Sequence, residues 1–349
     1  MLIKTIKLNN YRNYSKKFTE LSKKLNIITG NNGVGKTNLL ESIIVVSNSK
    51  SFRTLNDSDL IKKDAEFARI EIVSDAGEFK VVINRKNKSM YINDVLKKKT
   101  SEYIGKLNAI LFKPGDLELF NQAPSERRRI LDIEISKVSK RYIEALLRYN
   151  YLIKDKNRLL KELEIDDDLL NVINESLVPN ILTIIQEREK FFRVINTYIS
   201  IIYKKLSGKN NDIRIIYKKC ADISDVKQEL ENSKDKDKYY HYASFGPHHD
   251  DFIFMMDDYE LNSIASQGQK RMVMISFKLA LLEYIKESTG IIPIVLLDDI
   301  MSELDKDNQE RLIKIIPSNT QVIITTTDIN NIKIDADYKL IQLKEEEYV

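Results

Sequence analysis

Gly30-Asn31-Asn32-Gly33-Val34-Gly35-Lys36-Thr37 fits the pattern G-x-x-x-x-G-K-[ST]. Three of the chain's ten glycines fall within these eight residues, and glycine lets a backbone curl until consecutive N–H groups face inward onto phosphate oxygens. The flanks supply the context that the pattern requires. Leu25-Asn26-Ile27-Ile28-Thr29 reads as a short apolar strand, and a helix is predicted from about Lys36 to Ser47 with Leu39, Leu40, Ile43 and Ile44 on its apolar face. The start of that helix adds a partial positive charge. Lys36 is then expected to reach the β- and γ-phosphates of a nucleotide, and the Thr37 hydroxyl to hold Mg²⁺.

Far downstream, Ile294-Val295-Leu296-Leu297-Asp298-Asp299 carries two carboxylates to the tip of an apolar run. Asp298 suits Mg²⁺ held through water, and Asp299 suits the orienting or deprotonation of an attacking water. Two acids after a strand can also merely cap a turn; beside a phosphate loop the catalytic reading prevails. Asp298 lies 261 residues after Thr37. That separation fits an ATPase whose halves flank an insertion better than a compact GTPase or small kinase.

The remaining pattern agrees with a split unit. Ala68-Ile70-Ile72, Phe79-Val81-Ile83 and Met90-Ile92 alternate at period two, as in an antiparallel sheet with one wet face. Asn108–Phe112 reads as a further buried strand. From Ser125 to Leu206 the pattern is helical, with Leu146, Ile153 and Leu160 in sevens, a break at Asp166-Asp167-Asp168, and a second run through Ile181, Ile185, Phe192 and Ile199. These helices are expected to fold back on each other. Ser233–Lys238 (Ser-Lys-Asp-Lys-Asp-Lys) reads as a charged, mobile loop. A strand at Phe252–Phe254, a helix from Gln269 to Lys286, and strands at Ile294–Leu297 and Gln321–Thr325 close the chain. The expected organisation is a lobe I of residues 1–124 and 290–349, and a lobe II of residues 125–289 in which 210–265 supply connecting strands.

With 349 residues, 42% apolar and 31% charged, the chain can bury a sizeable core, which excludes collagen-like, low-complexity and fully disordered readings. No apolar run approaches the roughly 20 residues of a membrane-spanning helix. The start, Met-Leu-Ile-Lys-Thr-Ile-Lys, lacks a signal peptide's apolar block, and one cysteine, Cys220, allows no internal disulfide. A cytoplasmic protein is expected. The net charge of +4 conceals a division: residues 80–106 hold eight basic and two acidic side chains, and residues 125–161 eleven and five. Such clusters suit a phosphate backbone, although solvated lysine-rich faces look the same in sequence.

One further segment bears on function. Ser266-Gln267-Gly268-Gln269-Lys270-Arg271 opens a helix, and Ser with Gln three residues later makes a capping box. A helix start with a Ser hydroxyl, a Gly and basic neighbours is also an anion site aimed outward, able to serve a phosphate of a second subunit. Ser-Gln-Gly-Gln resembles the signature of the ABC-type ATPases. Asp298–Asp305 resembles their Walker-B segment followed by a D-loop carrying Ser302 and Asp305. With Leu8–Tyr14, Ser51–Thr54, Pro124–Arg129 and Gly246–Asp251, these motifs span the chain. As a whole it resembles the RecF family of bacterial recombination-mediator ATPases, relatives of the SMC heads.

The resemblance implies an α/β ABC-type ATPase head: a P-loop mixed sheet with an antiparallel β subdomain in lobe I, and an inserted helical lobe II. It implies ATP and Mg²⁺ as cofactors and a homodimer closed head to tail on ATP. Each nucleotide would lie between one P-loop, with Arg12 beside it, and the signature turn Ser266, Gln267, Gly268 and Gln269 of the other copy. Hydrolysis, weak and DNA-stimulated, would release the dimer. The implied partners are DNA at single-strand gaps and in duplex near junctions, together with RecR and RecO, in recombinase loading and the SOS response; no membrane is involved.

The sequence departs from the wider ABC pattern in four places. Asp299 stands where most such enzymes have Glu, which implies slow turnover. Thr325 and Thr326 stand where many carry a switch His; a hydroxyl can bond a γ-phosphate but not accept its proton. Asp116 and Gln122 both stand near the expected Q-loop position. His249 stands where Arg is expected.

Smaller signals stay open at this level. Arg127-Arg128-Arg129 can be a solvated helix start, a DNA contact or a tie between lobes, and Lys97-Lys98 are weaker DNA candidates. Tyr149 and Tyr151 read as helix core. The three histidines, all within 241–249, lack further ligands for zinc and read as a strand-end cluster near the nucleotide. Two other classes share the motifs: the ATP-binding subunit of a transporter, and a clamp that binds nucleotide without useful hydrolysis. The basic helical block favours DNA over the first, and Asp298 with Asp299 argue against the second.

Overall fold

The computed structural model describes residues 1–332 and 336–344; residues 333–335 and 345–349, part of the expected 290–349 segment, lie outside the described residues. In chain order come β1 (Ile3–Tyr11), β2 (Tyr14–Glu20), β3 (Leu25–Thr29), α1 (Lys36–Asn48), β4 (Phe67–Ser74), β5 (Gly77–Asn84), β6 (Lys88–Ile92), β7 (Val95–Leu96) and β8 (Ala109–Phe112). Then follow α2 (Pro124–Ser136), α3 (Lys140–Leu159), α4 (Asp167–Ser207), β9 (Ile213–Lys218), α5 (Val226–Asn232) and α6 (Lys234–Tyr240). The chain closes with β10 (Asp251–Met256), β11 (Tyr259–Glu260), α7 (Leu261–Ile264), α8 (Gln267–Thr289), β12 (Ile294–Asp298), α9 (Lys306–Ile315), β13 (Val322–Thr326) and β14 (Tyr338–Gln342).

Two compact units result. The first comprises Met1–Leu117, Ile201–Asn210 and Arg271–Val349, and the second Glu118–Ser200 and Asn211–Lys270. This corrects the expected boundaries. From Arg271 onward α8 belongs with the first unit, where Lys278 pairs with Asp116 at 3.3 Å and Arg271 with Glu303 at 3.0 Å. Residues 118–124 instead go with the second, in which Arg127 donates to the Gln122 carbonyl at 2.5 Å.

The first unit holds a parallel sheet of order β14-β3-β13-β12-β8 and an antiparallel sheet of order β2-β1-β4-β5-β6-β7. Helix α1 contacts β8, β12 and β13 of one and β4 and β5 of the other. Its position explains a feature the single apolar face did not predict: Val45, Val46, Glu41 and Ser42 are buried along with Leu39, Leu40, Ile43 and Ile44. A helix lying between two sheets has no wet side. The alternating residues meet as expected, with Ala68 opposite Ile83, Ile70 opposite Val81, and Ile72 opposite Phe79. Gln321, fully buried, precedes β13 and accepts from the Ile3 N–H at 2.8 Å while donating to the Ile3 and Ser22 carbonyls.

In the second unit α2, α3 and the greater part of α4 accompany the sheet β11-β10-β9. Arg141 of α3 donates to Thr183 and Gln186 of α4, each at 3.3 Å, so the helices fold back as predicted. The interior carries a polar knot. Arg188, 2% exposed, donates to Asp250 at 2.6 Å, Asp132 at 2.9 Å and the Pro247 carbonyl at 2.8 Å. Tyr217 also donates to Asp250. Of the histidines, His248 serves the same interior, its Nε2–H donating to the Ala243 carbonyl at 3.0 Å and its Nδ1 accepting from Tyr149, whereas His241 and His249 are exposed, His241 bonding the Leu160 carbonyl at 2.7 Å. Tyr149 is core, as expected, but Tyr151 is 56% exposed.

The expected mobile loop at Ser233–Lys238 is instead the start of α6. Its charge pattern misleads because one acid points inward: Asp237 pairs with Lys156 at 2.7 Å, both side chains fully buried. Asp237 also accepts from the Ser244 N–H and hydroxyl, and Lys238 pairs with Asp167 at 2.5 Å. Among the described residues no helix is long and apolar enough to cross a membrane.

Candidate nucleotide site

Strand β3 runs into the glycine-rich loop and the loop into α1, as its spacing requires. Two glycines there have no substitute. Gly35 (φ +109°) lies where a Cβ would meet the Tyr14 hydroxyl at 2.5 Å, and Gly30 (φ +155°) where one would meet the Leu343 carbonyl at 2.6 Å. The Tyr14 hydroxyl donates to the Gly35 carbonyl at 3.0 Å, and the Asn13 amide donates to Val34 at 3.2 Å and accepts from Asn38 at 2.8 Å. The loop is therefore buttressed from behind by the β1–β2 turn. Lys36 Nζ donates to the carbonyls of Gly30 and Asn31 at 2.7 and 2.9 Å, across the loop's mouth. Burial lowers its pKa, against the pull of Asp299 and Asp298.

Parallel pairing of β12 with β13, Asp298 opposite Thr325, sets the carboxylates at one sheet end. Asp298, 6% exposed, accepts from the Thr37 hydroxyl at 3.1 Å and the Thr325 hydroxyl at 2.7 Å. Burial raises its pKa, while those hydroxyls hold it down. The Thr325 hydroxyl in turn accepts from the Asp299 N–H at 3.1 Å. Asp299 sits in the left-handed region (φ +53°), where β12 ends, and its Oδ1 is buried without a hydrogen-bond partner. A hydroxyl beside a carboxylate, with a second carboxylate oxygen unpaired, is a hard-oxygen donor set of the kind Mg²⁺ takes. The residues fit the ion.

Thr326, the other switch candidate, bonds its own turn instead, donating to the Asp328 carbonyl at 2.9 Å. Ser302 donates to the Asp299 carbonyl at 2.7 Å, and Asp305 caps α9 by accepting from the Asn308 N–H at 2.8 Å. Arg12 is held by Glu41 in a two-point pair, Nε at 2.8 Å and Nη2 at 2.6 Å, with Nη1 on the Asp59 carbonyl. Glu41 is wholly buried and also accepts from Ser51 at 2.6 Å. Sequence reasoning missed Glu41. Glu41 lies off the face formed by Leu39, Leu40, Ile43 and Ile44, so the apolar pattern gave no sign of its burial; the only signal was its place in a helix that two family-like segments, Leu8–Tyr14 and Ser51–Thr54, flank.

In the second unit, Ser266 and Gln269 form the expected reciprocal cap, at 2.9 and 3.3 Å, and leave Ser266, Gln267 and Gly268 exposed. Of the Q-loop candidates, Asp116 is tied to Lys278 and the Lys113 N–H, whereas Gln122 keeps a buried Oε1 with no partner. Of the readings open for the arginine run, the contacts favour a structural one. Arg127 makes a two-point pair with Asp251 at 2.7 and 2.6 Å, and Arg128 donates to the Asp250 carbonyl at 2.7 Å. Both guanidinium groups are committed to folding the second unit. Arg129 pairs with Glu126 at 3.3 Å, and Lys98 is exposed with Lys97 half-buried.

A phosphate-binding loop after β3, paired acids at the end of β12 two strands away in the same parallel sheet, and a flanking antiparallel sheet define an ABC-type ATPase head. Residues 2–347 match the family described as the RecF/RecN/SMC N-terminal domain. The SMC head domain of Pyrococcus furiosus shares the fold, with a TM-score of 0.55 at 19% identity over 99% of this chain and 94% of that one. Within this class the chain belongs to the RecF family. It is 35% identical to the DNA replication and repair protein RecF of Oenococcus oeni over 99% of this chain and 98% of that protein. It is also 35% identical to that of Bacillus subtilis, over 95% of each chain. A solved structure of the recombination mediator protein RecF with ATP, in the RecFOR pathway, superposes with a TM-score of 0.90 at 31% identity, covering 98% of this chain and 97% of that one.

Proposed function

We propose that the protein is an ATP-switched DNA-binding mediator of replication and recombinational repair, in the cytoplasm, whose head-to-tail dimer forms on ATP and opens on slow hydrolysis. The observation that carries this reading is the convergence of Thr37, Asp298, Thr325 and Asp299 beside the phosphate loop. Loop N–H groups and Lys36 would bind the phosphates; Thr37 and Asp298 would hold Mg²⁺, which when bound neutralises charge on the phosphates. Asp299, with its unpaired oxygen, would orient the attacking water. Thr325 holds both acids at once, so hydrolysis would depend on it more than on Thr326. Arg12 would approach the nucleotide from a position Glu41 has already set.

The partner phosphate would meet Ser266, Gln267, Gly268 and Gln269 of the second copy, with Ser302 and Asp305 as the D-loop and Gln122 as the Q-loop residue. ADP lacks the group these sense, so its dimer would be weaker. DNA at gaps or duplex near junctions, with RecR and RecO, completes the reading, as does support of recombinase loading and the SOS response. Lys97, Lys98 and Arg129 remain the DNA candidates. Retention of gapped and duplex DNA is the test, measured with ATP, with ADP, and with Lys36→Ala or Ser266→Arg protein. Retention should require ATP and fail in both variants; nucleotide-independent retention would remove the gating, and none at all would favour a transporter subunit.

A further inference from the structure

The two basic clusters of the sequence meet different fates in the fold. In residues 125–161, six of the eleven basic side chains pair with acids, Arg127 and the buried Lys156 among them. In residues 80–106 two of the eight do so: Lys80 pairs with Asp94 at 2.5 Å and Lys88 with Asp57 at 2.7 Å. Among the described residues Arg85, Lys86, Lys97, Lys98 and Lys99 meet no acid. The antiparallel sheet of the first unit brings these five together. Arg85 and Lys86 are exposed in the turn between β5 and β6, which the Asn84 N–H closes on the Asn87 carbonyl at 3.0 Å. Strand β7 pairs with the end of β6, Tyr91 opposite Leu96, and the Lys97 N–H donates to the Met90 carbonyl at 2.8 Å. That register returns residues 97–99 along β6 toward the turn, with Lys98 and Lys99 exposed. Neither 84–90 nor 95–101 contains an acid or an aromatic residue. The ring of Tyr91 is already covered by Lys80, 4.8 Å from its centroid. Like charges crowded in this way repel one another unless a polyanion lies over them. With no free ring to stack on, a single strand gains nothing here over a duplex.

We infer that this corner of the antiparallel sheet grips the phosphate backbone of duplex DNA, without regard to base sequence. The inference deepens the proposed function and rests on it for DNA being the ligand; Lys97 and Lys98 become two members of a five-cation site. The test follows binding to the full-length protein with ATP across a range of salt concentrations. Its probes are a labelled duplex in two unrelated sequences and a single strand of equal length. Arg85→Gln with Lys86→Gln forms one variant, and Lys98→Gln with Lys99→Gln a second. Arg148→Gln with Lys154→Gln, from the other basic cluster, is a third. Melting and self-association are read on the same samples. Each phosphate contact contributes about 0.9 to the slope of log affinity against log salt. Both sheet variants should flatten that slope by about 0.9 for each cation removed. They should also weaken duplex binding at least tenfold, equally for the two sequences, while the third variant keeps the slope. An unchanged slope in the sheet variants would overturn the inference, as would tighter binding of the single strand or a flattening by the third variant alone. So would a loss that comes only with a lowered melting temperature or lost self-association, which would place these cations in the fold or the dimer. If the unaltered protein retains no DNA, this inference and the proposed function fall together. If retention ignores ATP, the gating alone falls and the slopes still decide.

Discussion

Glu41 gathers Arg12, Ser51 and, at 3.8 Å, Arg53 onto one buried carboxylate. Replacing it by Ala would strand Arg12 and Ser51, and should cost roughly 2–4 kcal/mol in urea unfolding. Thr325 does for the acids what Glu41 does for the loop. Thr325→Val should lower the ATPase rate about tenfold or more with little change in ATP affinity, whereas Thr326→Val should leave the rate near normal; steady-state kinetics with a nucleotide-binding titration checks both. His248 gives a pH dependence. Burial, with His249 adding to it, pushes its pKa down from 6.5 to about 4. Between those values the unfolded chain takes up a proton that the folded one refuses. Stability therefore falls as pH drops through that window, by about 3 kcal/mol at most from this group. Urea unfolding from pH 7 to 4 should show the loss, and His248→Gln should flatten it.

Elements whose cause is local were legible in the sequence. The apolar run 25–29, the glycines, and the run 294–297 ending in acids each carry their instruction within ten residues, and β3, α1 and β12 lie where that reading put them. The capping box at Ser266 was equally local. Causes spread along the chain were not legible. Helix α6 reads as a loop because the lysine that makes its buried acid tolerable is Lys156 of α3, 81 residues before Asp237. Arg127 and Arg128 stay open in the sequence between a solvated helix start, a DNA contact and a tie between lobes because their acceptors, Asp251 and the Asp250 carbonyl, lie 124 and 122 residues on. Removing one partner of a buried pair is costly, so Asp237→Ala should lose about 3–5 kcal/mol. Hydrogen exchange should show α6 opening first while the amides of α1 stay protected.

At the level of the whole molecule, the cradle, the metal-side acids and the signature turn are built from residues of one chain. The account nevertheless assigns the last of these to the nucleotide of a second copy. Sedimentation of the protein across a range of concentrations, with ATP, with ADP and as the Ser266→Arg variant with ATP, tests that assignment most directly. The account predicts a dimer with ATP and monomers in the other two cases. A chain that stays monomeric with ATP at high concentration, or a Ser266→Arg variant that dimerises as well as the unaltered protein, would contradict it.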